Sequence, residues 1–143
     1  LPGTEGAGWT YRGYAMSISD DKNVIVGNVE KNGGWRKGIV WYCDTTQQSS
    51  GGKGTWVRKL LNTLLMEQAL FNAAHNPDPN IAAQQQLLAN QMAGTWLRTA
   101  DAVSGDGKTI VGVGKHAGFP GEETFRAVLD RSPAVLGGPY PCY

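Results

Sequence analysis

The chain has 143 residues, a net charge of +1 and a composition that is 41% hydrophobic but only 17% charged. This balance gives no electrostatic reason to expect a nucleic-acid partner or an anionic membrane surface, and no apolar run approaches the ~20 residues of a membrane-spanning helix. The 20 glycines and five tryptophans are typical of a turn-rich β protein. The length predicts a single domain, residues 1–143, and the start at Leu1 predicts a processed protein or an excised fragment.

Residues 1–42 are predicted to form a first β-repeat. Its first strand ends at Ile18, and the β-branched or aromatic runs 24–26 and 39–41 supply the next two strands. Such residues fit a pleated, half-buried sheet surface. Consecutive strands joined by polar loops form a β-meander, so we expect one here.

The turn between the first two strands contains Ser19, Asp21 and Asn23. Ser and Asp side chains accept hydrogen bonds from backbone N–H groups two or three residues further on, and Asn23 can adopt a positive φ. Gly27 follows the second strand, where a side chain would obstruct a bulge or a close approach of backbone. We therefore expect Ser19, Asp21 and Gly27 to be structural.

Residues 43–54 are polar and rich in Gly and Ser, which predicts a loop. From Thr55 the spacing changes to that of an amphipathic helix, with one apolar face formed by Val57, Leu60, Leu61, Leu64 and Leu65. Thr55 is a suitable N-cap, and Pro77 predicts a helix end near Ala74.

A second helix is predicted from Asn80, which can serve as its N-cap, to Met92, with Gly94 as its stop. Residues 55–94 would then form a helical hairpin between two β units. Its apolar face either packs on the β sheets and completes their core, or binds a partner or a second protomer.

Residues 95–131 are predicted to form a second β-repeat, because residues 100–112 align without gaps on residues 15–27. The turn and strand-end positions recur as Ser104, Asp106, Gly107 and Gly112. An aromatic–Arg pair precedes the third strand of each copy, as Trp35 with Arg36 and as Phe125 with Arg126. This recurrence favours a structural role such as stacking of Arg on the ring. Residues 132–143 are predicted to be a C-terminal tail rich in Pro and Gly.

The pattern Ala-x-x-(Val/Ile)-Ser-x-Asp, followed by (Ile/Val)-Val-Gly and later by aromatic–Arg, resembles the HAF-type extracellular repeat of bacterial secreted and autotransporter-associated proteins. The resemblance implies propeller-blade-like β units, a secreted, periplasmic or cell-surface location and no catalytic residues. The first copy departs from it, with Lys22 in the place of Gly107.

The expected fold is mainly β with an inserted helical hairpin, in which two β-meander units pack with one or two helices. Two units are too few for a closed propeller, so we expect a small open sheet covered by the helices. Cys43 and Cys142 can form one disulfide or remain two free thiols, and the secreted setting that the resemblance implies favours the disulfide.

No residue pattern predicts catalysis, a metal site or a cofactor. The aspartates Asp20, Asp21, Asp101 and Asp106 lack the ligand density of a calcium loop, so we interpret them as turn residues. His75 and His116 have no metal-ligand spacing, and we expect surface positions for both. Glu122 and Glu123 are adjacent, and neighbouring residues of a strand point apart.

Aromatic residues beside Gly-rich loops are better candidates for binding than any of these charged groups. The candidate binding residues are Trp9, Tyr11, Tyr14, Trp35 and Trp41. The alternative is that most of them belong to the core.

The function that these observations favour is a non-enzymatic extracellular module for scaffolding, adhesion or protein–protein contact. The alternative is a carbohydrate-binding or glycan-processing domain. We expect a protein or glycan partner, no nucleic acid, no membrane insertion, and self-association as an option.

Overall fold

The computed structural model describes residues 12–30, 35–116 and 118–143. It confirms a mainly β fold, with two antiparallel sheets and two helices. Both sheets are open in the part of the chain that is described.

The first sheet is an antiparallel meander with its four strands in chain order. Its strands are β1 (Arg12–Ile18), β2 (Val24–Glu30), β3 (Arg36–Gln48) and β4 (Gly54–Leu60). Residues directly opposite each other in an antiparallel pair lie on the same face. Val24 is opposite Tyr42 and Ile25 is opposite Trp41, so these two pairs mark the inner and the outer face of the first sheet.

The loop expected at 43–54 is confined to residues 49–53, and the helix expected from Thr55 begins only at Leu61. Strand β3 continues to Gln48 and β4 begins at Gly54, so only a short turn separates them. Val57 lies in β4 opposite Tyr42. A few apolar residues fit a period of 2 as well as one of 3.6, and pairing along β3 makes this segment a strand.

Two helices follow the first sheet, α1 (Leu61–His75) and α2 (Pro79–Ala93). The N-cap of α2 is Asp78, whose side chain accepts a hydrogen bond from the Asn80 N–H, so the cap expected at Asn80 is wrong by two residues. Pro79 occupies the first turn, where its missing N–H costs no intrahelical bond. Gly94 ends α2 as expected.

The second sheet contains β5 (Trp96–Leu97), β6 (Ala102–Val103), β7 (Thr109–Lys115) and β8 (Glu123–Val128). Both β5 and β6 pair with the same edge of β7, and β8 pairs with its other edge. Residues 96–103 therefore act as one interrupted strand. Like β1 and β2 of the first sheet, this strand and β7 are joined by a Ser-x-Asp turn.

The register places the two aromatic–Arg pairs at different positions, so their expected equivalence is wrong. Gly27 of the first repeat is opposite Ile39, whereas the matching Gly112 is opposite Phe125. Phe125 thus takes the place of Ile39 rather than that of Trp35. The loops before the third strands differ in length, so the similar aromatic–Arg pairs occupy different ladder positions in the two repeats.

The main core lies between the inner face of the first sheet, the second sheet and α1. Its buried members are Val24, Val26, Val40, Tyr42, Leu61, Leu97, Ala100, Ile110, Ala127 and Leu129. Leu64 and Leu65 of α1 pack against this cluster, so the apolar face of α1 completes the core that the sheets share.

The C-terminal segment packs against the first sheet, and a disulfide joins Cys43 to Cys142, which confirms the predicted pairing. Backbone hydrogen bonds link Val135 to Cys43 and Thr45, and the Gly54 N–H donates to the carbonyl of Pro141. Residues 132–143 therefore form a strap along β3 and the start of β4.

Candidate functional site

The turn at residues 19–23 is organised by two side chains. The Ser19 hydroxyl donates to the Asp21 carboxylate (2.6 Å) and accepts from the Val24 N–H (3.1 Å). The same carboxylate oxygen accepts from the Asn23 N–H (3.0 Å). These bonds lower the pKa of Asp21, with the Ser19 hydroxyl as the largest cause. The carboxylate is thus used within the turn.

The turn at residues 104–108 repeats this arrangement bond for bond. Ser104 donates to Asp106 (2.5 Å) and accepts from the Thr109 N–H (3.0 Å), and the Lys108 N–H donates to Asp106 (3.0 Å). The pKa of Asp106 is also lowered, mainly by the Ser104 hydroxyl. The two copies are therefore one device used twice.

The residue with positive φ is Lys22 in the first turn (61°) and Gly107 in the second (74°). The positive φ expected at Asn23 is wrong by one residue. Lys22 matches Gly107 in the repeat, so the turn type is the same in both copies despite the missing glycine. A non-glycine residue in this conformation is strained.

Gly27 and Gly112 are required by a close approach of backbone. A Cβ atom on Gly27 would lie 1.8 Å from the carbonyl oxygen of Tyr14, and one on Gly112 would lie 2.0 Å from that of Thr99. Tyr14 and Thr99 occupy matching positions in the two repeats. Tyr14 lies next to the irregularity in β1, and Thr99 lies in the interruption between β5 and β6.

The two turns also contact each other. The Asp20 N–H donates to the Gly105 carbonyl (2.9 Å), and a Cβ atom on Gly105 would lie 2.2 Å from an Asp20 carboxylate oxygen. Further along, the Ala100 N–H donates to the buried Asn28 side chain (2.9 Å), and the Val103 N–H donates to the Ser17 hydroxyl (3.2 Å). The repeated segments therefore form the interface between the sheets.

The described members of the predicted binding set, Tyr14, Trp35 and Trp41, do not all lie on one face of the first sheet. Trp9 and Tyr11 lie outside the described residues. Tyr14 is 40% exposed and, opposite Asn28, lies on the other face of the sheet from Trp41. Trp35 is 51% exposed and stacks on Trp96 with ring centroids 4.9 Å apart.

Trp41 is only 5% exposed, but it lines an apolar groove of about 370 Å³ on the outer face of the first sheet. The other lining residues are Gly13, Ala15, Ile25 and Trp56. The Trp41 indole N–H is buried and has no hydrogen-bond partner among the described residues. Trp41 and Trp56 come together only because β3 pairs with β4, which the expected loop and helix did not allow.

Two further cavities lie beside α1. One, of about 950 Å³, separates the exposed side of α1 from residues 129–136. The other, of about 350 Å³, lies between the helices and the second sheet and is lined by Leu65, Leu88, Met92 and Phe125. Gln68 lies at both, where it donates to the Val128 carbonyl and accepts from the Asp130 N–H.

Several charged groups outside the turns form surface pairs or bonds. Arg98 pairs with Glu122 (2.9 Å), His116 pairs with Glu123, and His75 bonds the Phe71 carbonyl at the end of α1 (2.8 Å). Within residues 12–30, 35–116 and 118–143, no group of three or more His, Cys, Asp or Glu side chains could hold a metal ion. Neither described helix is long and apolar enough to cross a membrane.

Comparison with family models, with curated proteins and with solved structures finds no match to this chain.

Proposed function

We propose that the chain is a non-enzymatic extracellular β-repeat module, of the HAF type, that serves scaffolding, adhesion or protein–protein contact in a bacterial secreted or surface protein. The observation that carries the proposal is the duplicated Ser-x-Asp turn. Its polar side chains bond the local backbone, and the two turns bond to each other. The Ser and Asp side chains are thus used within the turns, and backbone bonding between the turns joins one repeat to the next.

The disulfide supports an extracellular or periplasmic setting, because such bonds persist in oxidising compartments. It joins residues 99 positions apart and fixes the C-terminal strap to the middle of the first sheet. A module that is exposed outside the cell benefits from this link, since it limits detachment of the C-terminal segment from the first sheet.

A second candidate is glycan binding, and the groove at Trp41 and Trp56 favours it. The aromatic walls offer a stacking surface, although the Trp41 indole N–H, which has no hydrogen-bond partner among the described residues, is itself buried. The groove is otherwise apolar, whereas a sugar needs several polar partners. For this reason the protein-contact function is preferred.

One experiment separates the two functions. The oxidised chain is tested in parallel against immobilised bacterial surface and extracellular-matrix proteins and against a glycan array. Protein contact predicts saturable binding to protein spots and none to glycans. Glycan binding that is lost in Trp56→Ala, but kept in the matched variant Trp35→Ala outside the groove, would replace the first function by the second.

A further inference from the structure

The interface between the two sheets has two different halves. One half is the inner face of the first sheet, with the buried Val24, Val26 and Tyr42. The other half is the strand 96–103 and the adjoining face of the second sheet, where Ala100, Ile110 and Ala127 are buried. We call that face of the second sheet its inner face.

Because the two sheets are built from matching repeats, each position that one sheet contributes to the interface has a matching position on the other sheet. On the first sheet, register and repeat match Ala15 to Ala100, Ile25 to Ile110 and Trp41 to Ala127. These three residues of the first sheet line the open groove. Ile18, which matches Val103, is 50% exposed beside it. Among the described residues, the part of this face around Ala15, Ile18 and Ile25 is thus an open copy of the half that the second sheet uses, whereas Val29, Ile39 and Trp41 of the same face are buried in a second core cluster.

On the second sheet, the outer face keeps part of the apolar surface that the first sheet uses, with Arg126 and Thr109 at the positions of Val40 and Val24. Val111 matches Val26, and Val128 matches Tyr42 through their ladder positions. Val26 is fully buried, whereas Val111 is 41% exposed and Val128 is 49% exposed. Two apolar side chains that are buried in the first repeat are therefore uncovered in the second.

We propose that a second copy of this chain docks the outer face of its second sheet on the groove of the first sheet, repeating the internal interface head to tail. Val111 and Val128 of one copy then enter the groove beside Ala15, Ile25 and Trp41 of the other. The occupant is a copy of this chain because the internal interface already joins these two surface types. The proposal rests on the repeat function proposed above and names the partner.

The turn contact is sterically compatible with this docking. Inside the chain, Asp20 meets Gly105, whose missing side chain leaves room for the carboxylate. Between copies, Gly105 of one copy takes the position that Asp20 holds inside the chain, and Asp20 of the other copy takes the position of Gly105. The crowded contact is then again between one aspartate and one glycine. Asn28 and Ser17, which bond backbone N–H groups in the internal interface, are matched by Val113 and Ala102, so the contact between copies lacks these two side-chain acceptors.

The test uses the fact that a head-to-tail contact needs one intact surface from each partner. Ala15→Lys places a charge in the groove and Val111→Lys places one on the outer face of the second sheet. Ile18→Lys and Val128→Lys are second variants of the same two surfaces. Leu87→Lys, on an exposed position of α2, is the matched control. Light scattering measures the molar mass of each over a range of concentrations.

We expect the wild type and Leu87→Lys to exceed the mass of one chain as concentration rises. Each groove or outer-face variant alone remains at the mass of one chain, and an equimolar mixture of Ala15→Lys with Val111→Lys reaches the mass of two. A wild type that stays at one mass at every concentration, or a mixture that stays at one mass, would overturn the docking. If the protein array still binds in that case, the proposed function stands without it.

Discussion

Strand β1 and the interrupted strand 96–103 hold matching positions in their repeats but have opposite surroundings. Ala100 is fully buried and Leu97 nearly so, whereas Ala15 and Arg12, their counterparts, are exposed. Both strands precede the same turn and face the same kind of glycine. The repeated motif therefore specifies the β unit itself, while burial of its first strand depends on a neighbouring unit.

The first repeat is also held by the C-terminal strap and its disulfide, in addition to its packing on the second sheet. The disulfide and the C-terminal strap are attached to β3. Reduction, or the pair Cys43→Ala and Cys142→Ala, should lower the free energy of unfolding by about 4–5 kcal/mol, because the bond closes a loop of nearly 100 residues in the unfolded chain. Thermal melting with and without reductant measures this. An unchanged melting temperature would show that the strap alone holds the first sheet.

The two strand-end glycines should be equally intolerant of a side chain. Gly27→Ala and Gly112→Ala each place a Cβ atom against a backbone carbonyl, and we expect each to cost about 2–3 kcal/mol through forced backbone shifts. Gly121→Ala is the control, since nothing lies within 4 Å of its Cβ position. Denaturant unfolding compares the three. A large cost at only one of the two glycines would break the equivalence of the repeats.

The turn carboxylates should contribute a smaller amount. Asp21→Ala removes the acceptor for the Asn23 N–H and should cost about 1 kcal/mol, and Asp106→Ala should also destabilise the chain. Because folding lowers both pKa values, the unfolded chain binds more protons near their ordinary value of 3.8. The stabilisation that these two carboxylates provide is then present above that pH and is lost as the pH falls below it. Melting curves of wild type and the double variant across this range should converge at low pH.

The smallest expected effect is a gain. Lys22→Gly should raise the free energy of unfolding by up to about 1 kcal/mol, because glycine adopts positive φ without steric cost. Asn23→Gly, one residue away, should instead lower stability, since its φ is not positive and glycine adds freedom to the unfolded chain. Equal effects of the two substitutions would contradict the shared turn type.

Much of the β architecture was predictable from the sequence, because the turns are local. Ser19, Asp21 and their counterparts act on N–H groups within five residues, so the sequence pattern carries the information. The two helices were also expected, the first from periodicity with an end set by Pro77 and the second with its stop at Gly94, although α1 begins six residues later than expected. Thr55 and Val57 belong to β4, whose existence depends on pairing with β3.

The groove was not predictable from the sequence, because it also depends on the pairing of β3 with β4. Trp41 and Trp56 lie 15 positions apart in sequence and meet through the β3–β4 ladder, and Trp35 lies against Trp96 only after the second sheet has packed. The aromatic–Arg match was misleading because ladder register depends on the length of the preceding loop. Long-range pairing thus decides which aromatic residues share a surface.

The equivalence of the two Ser-x-Asp turns is tested most directly by amide hydrogen exchange at Asn23, Val24, Lys108 and Thr109. These four N–H groups donate to the Asp and Ser side chains of their turns, so all four should be protected from exchange in the wild type. Ser19→Ala should release Val24 without releasing Thr109, and Ser104→Ala should do the reverse. Protection in one turn and free exchange in the other would contradict the conclusion that a single structural device is used twice.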